Sequence, residues 1–97
     1  MKIVAVIPAF NESPTLANVV ARTLEHVDLV VVVDDGSSRI LDEYLPRDGR
    51  IISLRHRINL GKGAAMKTGV EASLKLKADV VVFLDSDGQH NPAEIPG

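Results

Sequence analysis

The sequence contains no cysteine. That excludes disulfides, thiolate metal sites and a cysteine nucleophile, and it fits a reducing compartment. Tryptophan is also absent and aromatic residues make up only 3%, too few stacking platforms for single-stranded nucleic acid. Basic charge is not in excess. Eleven Lys and Arg stand against 13 Asp and Glu, for a net charge of -2, so the electrostatic footprint of a nucleic-acid partner is missing. Apolar runs such as Ile3–Ile7 and Leu29–Val33 stop far short of the ~18–20 residues that a membrane span needs. The start of the chain lacks the basic stretch, apolar stretch and small-residue site of a secretory leader. No repeat or low-complexity tract is present. The expected location is cytoplasmic, with a membrane-peripheral position compatible with it.

What remains is an aliphatic chain. Hydrophobic residues are 45% and charged residues 25%, the composition of a folded globular chain. Its 97 residues match one small domain, expected to span 1–97. Lys2–Pro8, Leu29–Val33, Arg50–Arg55 and Asp79–Leu84 read as strands. The first two and the last are near-continuous β-branched runs, the mark of strands buried on both faces. Ser13-Pro14 opens a helix, with Ser as the cap and Pro in the first turn. Leu16, Val19, Val20, Leu24 and Val27 then form its apolar stripe, to about His26. Leu41–Leu45 reads as a short helix stopped by Pro46 and the Asp48-Gly49 turn. Gly61–Lys77 reads as a second long helix, with Ala65, Met66, Val70 and Leu74 expected inside and Lys67, Glu71 and Lys75 outside. Gly69 in its middle costs ~1 kcal/mol against Ala, which close packing would explain. The order predicts an α/β fold: a Rossmann-like, three-layer, mostly parallel four-strand sheet with right-handed crossovers.

In such sheets ligands bind at the carboxyl ends of strands. Polar clusters fall at all four ends: Pro8–Glu12, Asp34–Ser38, Asn59–Gly63 and Asp85–His90. Asp85-Ser86-Asp87 offers two carboxylates that a bend can turn toward one hard cation, with Gln89 as a carbonyl donor. Such an ion would neutralise a diphosphate and stabilise it as a leaving group. A solvated acidic turn is the bland alternative. An EF-hand is excluded, because His90 stands where that loop needs Gly and Pro96 where it needs Glu. One carboxylate of Asp34-Asp35 suits a base or ribose, but two like charges should not both turn into one desolvated site. Ser37 and Ser38 read as turn and cap residues. Gly61-Lys62-Gly63 before a helix suits a phosphate, although it lacks both the GxGxxG and the P-loop spacing. Arg55-His56-Arg57 reads as a solvated basic edge. Phe10 either covers an aromatic base or caps the core.

PAFNE at Pro8–Glu12, VVVDDGSS at Val31–Ser38, NLGKGAA at Asn59–Ala65 and FLDSDGQHNP at Phe83–Pro92 occur in this order. Together they resemble the N-terminal, nucleotide-sugar-binding half of a family 2 glycosyltransferase of the GT-A type. Within that family the likeness is greatest to the polyprenyl (dolichol) phosphate mannose or glucose synthase branch. The resemblance implies a UDP- or GDP-linked sugar donor and a polyprenyl phosphate or other hydroxyl acceptor. Pro8, Phe10 and Glu12 would line the base and ribose pocket, with Phe10 in the place of a common tyrosine. Val33 and Asp35 would flank the base. Asp85, Ser86 and Asp87 would form the DxD element, Asp85 contacting the nucleotide. Asp87 and Gln89, with Asp85, would bind Mg²⁺ or Mn²⁺ with the diphosphate. Gly61, Lys62 and Gly63 would lie near the nucleotide. The general base that an inverting displacement needs matches no residue here, so the isolated chain is expected to bind donor without turning it over. Self-association is expected from apolar surface and a bare strand edge. Two other classes fit worse. A receiver module with Asp85 as phosphoacceptor needs its acidic pair after the first strand. A dehalogenase-type phosphatase needs DxDG near the start of the chain.

Overall fold

The computed structural model describes residues 1–11 and 13–85. Glu12, Ser86, Asp87, Gln89, His90 and the helix start expected at Asn91-Pro92 lie outside the described residues. The four expected strands are β1 (Ile3–Ala9), β2 (Leu29–Asp35), β3 (Ile51–His56) and β4 (Val80–Phe83). They form one sheet in the order β3-β2-β1-β4, and every neighbouring pair is parallel. Helix α1 (Ser13–Thr23) joins β1 to β2, a 3-10 turn (Leu41–Tyr44) follows β2, and α2 (Lys62–Lys75) joins β3 to β4. The α/β, Rossmann-like expectation therefore holds.

Alternation along the strands divides the core between the two faces of the sheet. Ile3, Ala5 and Ile7 of β1 join Val30 and Val32 of β2, and they pack with Leu16, Val19, Val20, Leu24 and Val27 and with Leu41 and Leu45. All five stripe positions read from the sequence are buried. The other face gathers Val4, Val6, Val31, Val33 and Ala65, with Ala72 and Leu76 packed against them. Two acids just before the strands fasten the start of β1. Asp28 Oδ2 accepts from the Ile3 amide at 2.7 Å, and Asp79 Oδ2 accepts from the Lys2 amide at 2.6 Å.

The inward face of α2 differs from the expected one. Its buried residues are Ala65, Gly69 and Ser73, while Leu74 is 65% exposed and Met66 and Val70 are half-buried. The reason is proximity. A Cβ on Gly69 would run into the side chain of Val6, so this helix meets β1 through a stripe of small residues. The choice of face follows from the sheet surface beneath it, and large aliphatic side chains would hold the helix off. The helix ends two residues earlier than expected, with Lys77 in the left-handed region at φ 61. There the amides of Lys77 and Ala78 return to the carbonyls of Leu74 and Ser73, a common way to close a helix.

Candidate functional site

Because all strands run one way, their carboxyl ends share one edge of the sheet. The winding reverses between β1 and β4, and such a switch point is where parallel α/β sheets bind ligands. Pro8 and Phe10 stand on one side of it and Asp85 on the other. Pro8 is half-buried and Phe10 is 44% exposed. Val33 pairs with Pro8 in the sheet, but its side chain is wholly buried in the core under α2, which leaves its backbone to face the edge.

The acidic pair behaves differently from expectation. Asp34 and Asp35 are both buried, at 1% and 4% exposure. Consecutive strand residues point to opposite faces, so the two carboxylates occupy separate sites and each has its own donors. Asp34 Oδ1 accepts from the Ser37 amide at 3.0 Å. Its Oδ2 accepts from the Leu41 amide at 3.1 Å and from Arg55 Nε at 3.3 Å. Arg55 also donates to the Ser37 carbonyl at 2.8 Å. Asp34 thereby closes the turn after β2 and caps the 3-10 segment.

Asp35 does the same for the loop before α2. Its Oδ2 accepts from the Gly61 amide at 2.8 Å, and its Oδ1 accepts from the Leu60 amide at 3.0 Å and from His56 Nδ1 at 2.7 Å. A carboxylate can only accept, so His56 carries its proton on Nδ1. Its Nε2 lies 2.8 Å from the Thr68 hydroxyl. Burial pushes the Asp35 carboxyl up. The His56 hydrogen bond, the two amides and the His56 charge outweigh that and hold it below the usual 3.8.

Arg55 and His56 are thus not the solvated basic edge read from the sequence. They are the β3 partners of the acidic pair, in direct register: Asp34 opposite Arg55 and Asp35 opposite His56. The signal was present in the sequence as Asp-Asp and Arg-His at the ends of two strands, but only the register joins them. Gly36 was also missed. Its φ is +75°, and a Cβ there would collide with the backbone of Ile58 and Asn59, so glycine is what lets the β2 and β3 loops lie against each other.

Asn11 links the β1 loop to this group. It adopts a left-handed conformation at φ 56, donates its amide to Ser37 Oγ at 2.8 Å and accepts from the Ser38 amide at 2.9 Å. Asn11, Ser38, Arg39 and Leu41 line a shallow cleft of about 220 Å³. On the β4 side, Lys62 Nζ reaches Asp85 Oδ1 at 2.8 Å. The first turn of α2, which carries Lys62 and Gly63 after Gly61, is therefore bridged to the end of β4. Among the described residues no group of three His, Asp or Glu side chains is arranged to hold a metal. Asp87 and Gln89, the expected ligands beside Asp85, lie outside them.

The model of the family described as Glycosyl transferase family 2 matches residues 4–97. The chain belongs to this family. Membership sets aside the receiver and phosphatase readings. Among its relatives is the UDP-N-acetylglucosamine--dolichyl-phosphate N-acetylglucosaminyltransferase of Methanococcus voltae, 34% identical over 93% of this chain and 43% of the relative. The undecaprenyl-phosphate 4-deoxy-4-formamido-L-arabinose transferase of Edwardsiella ictaluri is 36% identical over 94% of this chain and 30% of its own length. An uncharacterised protein of Methanocaldococcus jannaschii is 36% identical over 97% and 39% respectively. The chain thus spans between 30% and 43% of the length of these relatives. The named ones use polyprenyl or dolichyl phosphate and transfer N-acetylglucosamine or formamido-arabinose, a wider range than the mannose and glucose of the expected branch.

Proposed function

We propose that residues 1–97 are the donor-binding half of a glycosyltransferase that moves a sugar from a nucleoside diphosphate to a polyprenyl phosphate, with inversion at the anomeric carbon. The observation that carries this reading is the joining of four strand-end loops at the switch-point edge of a parallel sheet, closed across β4 by Lys62 on Asp85. The relatives' names support the lipid phosphate acceptor and a UDP-linked donor, with a GDP-linked donor and a mannose or glucose cargo as the narrower alternatives. Pro8, Phe10 and Glu12 would border the base and ribose. Asp35 has three of its lone-pair positions engaged, so it serves the pocket chiefly by fixing the loop of Gly61, Lys62 and Gly63 and has one position left for a base or ribose donor.

The site suits a divalent cation in its chemistry. Asp85 already takes an ammonium group at 2.8 Å, and hard oxygen donors of this type favour Mg²⁺ or Mn²⁺. Asp85, Asp87 and Gln89 would hold it, with Ser86 between them in the DxD element. When bound, it supplies positive charge that stabilises the departing nucleoside diphosphate. Lys62 adds a second positive charge from the start of α2, where backbone amides also favour phosphate. Among the described residues none is placed as a general base, and our reading is that the isolated chain binds donor without transferring it.

Calorimetry with UDP- and GDP-linked sugars, with and without Mn²⁺, tests the reading. Binding is expected to need Mn²⁺ and to vanish in Asp87→Ala. Lys62→Met should weaken binding roughly tenfold, the scale of one hydrogen bond between charged groups. Its stability should barely change, since an exposed ion pair contributes only ~0–1 kcal/mol. Absence of any nucleotide binding would sink the proposal, and robust sugar transfer by the isolated chain would overturn its binding-only part.

A further inference from the structure

Between Arg55 and Val70 the sequence holds Arg55, Arg57, Lys62 and Lys67 and no acid, although the whole chain is net negative. At the tip of this stretch Ile58 is 65% exposed and Leu60 is 55% exposed. Single exposed aliphatic residues are ordinary. These two are held out by a fastened backbone. The Leu60 and Gly61 amides are bound by the buried carboxylate of Asp35, and Gly36 packs directly beneath the backbone of Ile58 and Asn59. The loop therefore cannot fold its two aliphatic side chains inward without giving up buried hydrogen bonds. Arg55 is engaged by Asp34 and Lys62 by Asp85, so outward charge rests on Arg57 and Lys67, both exposed.

We propose that the loop Arg57–Leu60 is a lipid-surface contact, inserting Ile58 and Leu60 among acyl chains while Arg57 and Lys67 meet anionic headgroups. Two aliphatic side chains are far too small for a stable protein interface, which takes roughly 800 Å² from each partner. They are enough for shallow, reversible attachment, to which each nearby cation adds ~1 kcal/mol at an anionic surface, about fivefold in binding. The inference deepens the lipid-phosphate acceptor reading by naming the surface that would meet the membrane. It uses no nucleotide-site side chain, so the two stand or fall in separate experiments.

The test is co-sedimentation of the full chain with vesicles of phosphatidylcholine alone and with vesicles in which about a third of the lipid is phosphatidylglycerol. Binding is expected only to the anionic vesicles. It should drop at least tenfold in Ile58→Ser/Leu60→Ser, given the apolar area lost, and about fivefold per charge in Arg57→Gln/Lys67→Gln. Circular dichroism serves as the control for folding in both variants. Failure of the unaltered chain to bind, equal binding to both vesicle types, or binding that survives the serine variant would each overturn the proposal. So would a dimer, seen by ultracentrifugation, that the serine variant dissolves, since the occupant would then be a second copy.

Discussion

Asp35 draws together His56 from β3, the amides of Leu60 and Gly61, and through His56 the Thr68 hydroxyl of α2. Asp35→Asn removes the charge on which those donors converge, and we expect it to cost about 2 kcal/mol at neutral pH. The acid limb of the stability curve checks the cause. The Asp35 carboxyl is held below 3.8 in the fold, so its contribution is complete above the unfolded value and fades as pH falls through the folded one. Denaturant titrations of wild type and variant should therefore keep a constant gap above about pH 4 and draw together as pH falls below it. A gap that persisted unchanged well below that range would show that the charge is not what matters. This residue also marks a limit of reading from sequence. Its burial looked unfavourable because a like charge sits next to it. The sheet resolves the conflict by sending the two side chains to opposite faces, where Arg55 and His56 await them, and that depends on a register no local pattern displays.

The two long helices were legible to different degrees. The stripe read for the first helix is built from large aliphatic residues at helical spacing, and every one of them lies in the core, with Leu24 and Val27 just past the end of α1 at Thr23, because hydrophobic size and burial agree there. In α2 they disagree. Leu74 looks inward by hydropathy and is exposed, while Gly69 and Ser73 are buried, because the distance between helix and sheet decides which side chains fit. Gly69→Ala isolates that distance. Intrinsic helix propensity favours Ala by ~1 kcal/mol, but the added methyl meets Val6, and overpacking costs ~1–3 kcal/mol. A net loss of about 1 kcal/mol is expected. Combining it with Val6→Ala in a double-mutant cycle should return a favourable coupling of similar size. Additive losses would show that the helix does not touch β1 at this point. The strand-end clusters, by contrast, were readable at once, since a parallel sheet puts all its carboxyl ends on one edge. What tied them together, through Asn11, Gly36 and His56, was not.

At the scale of the molecule, β3 and β4 are the two edges of the sheet among the described residues. On β4, Val80, Val81 and Val82 are half-buried and Phe83 is 42% exposed. Such an apolar edge invites pairing with another copy. Sedimentation velocity over a concentration series should show association, and Phe83→Lys should shift it toward monomer. A monomer at all concentrations would remove this expectation. The order of the strands has a further consequence in time. β1 lies inside the sheet, flanked by β2 on one side and by β4 on the other, with Ile3 opposite Val80. One flank of β1 is met soon after β2 is synthesised, but the other waits until β4 has left the ribosome. At ~5–20 residues per second that interval lasts several seconds. Throughout it β1, whose residues Ile3–Ile7 are all buried in the finished fold, has a bare side, so the nascent protein is most exposed to mispairing just before its last described strand arrives.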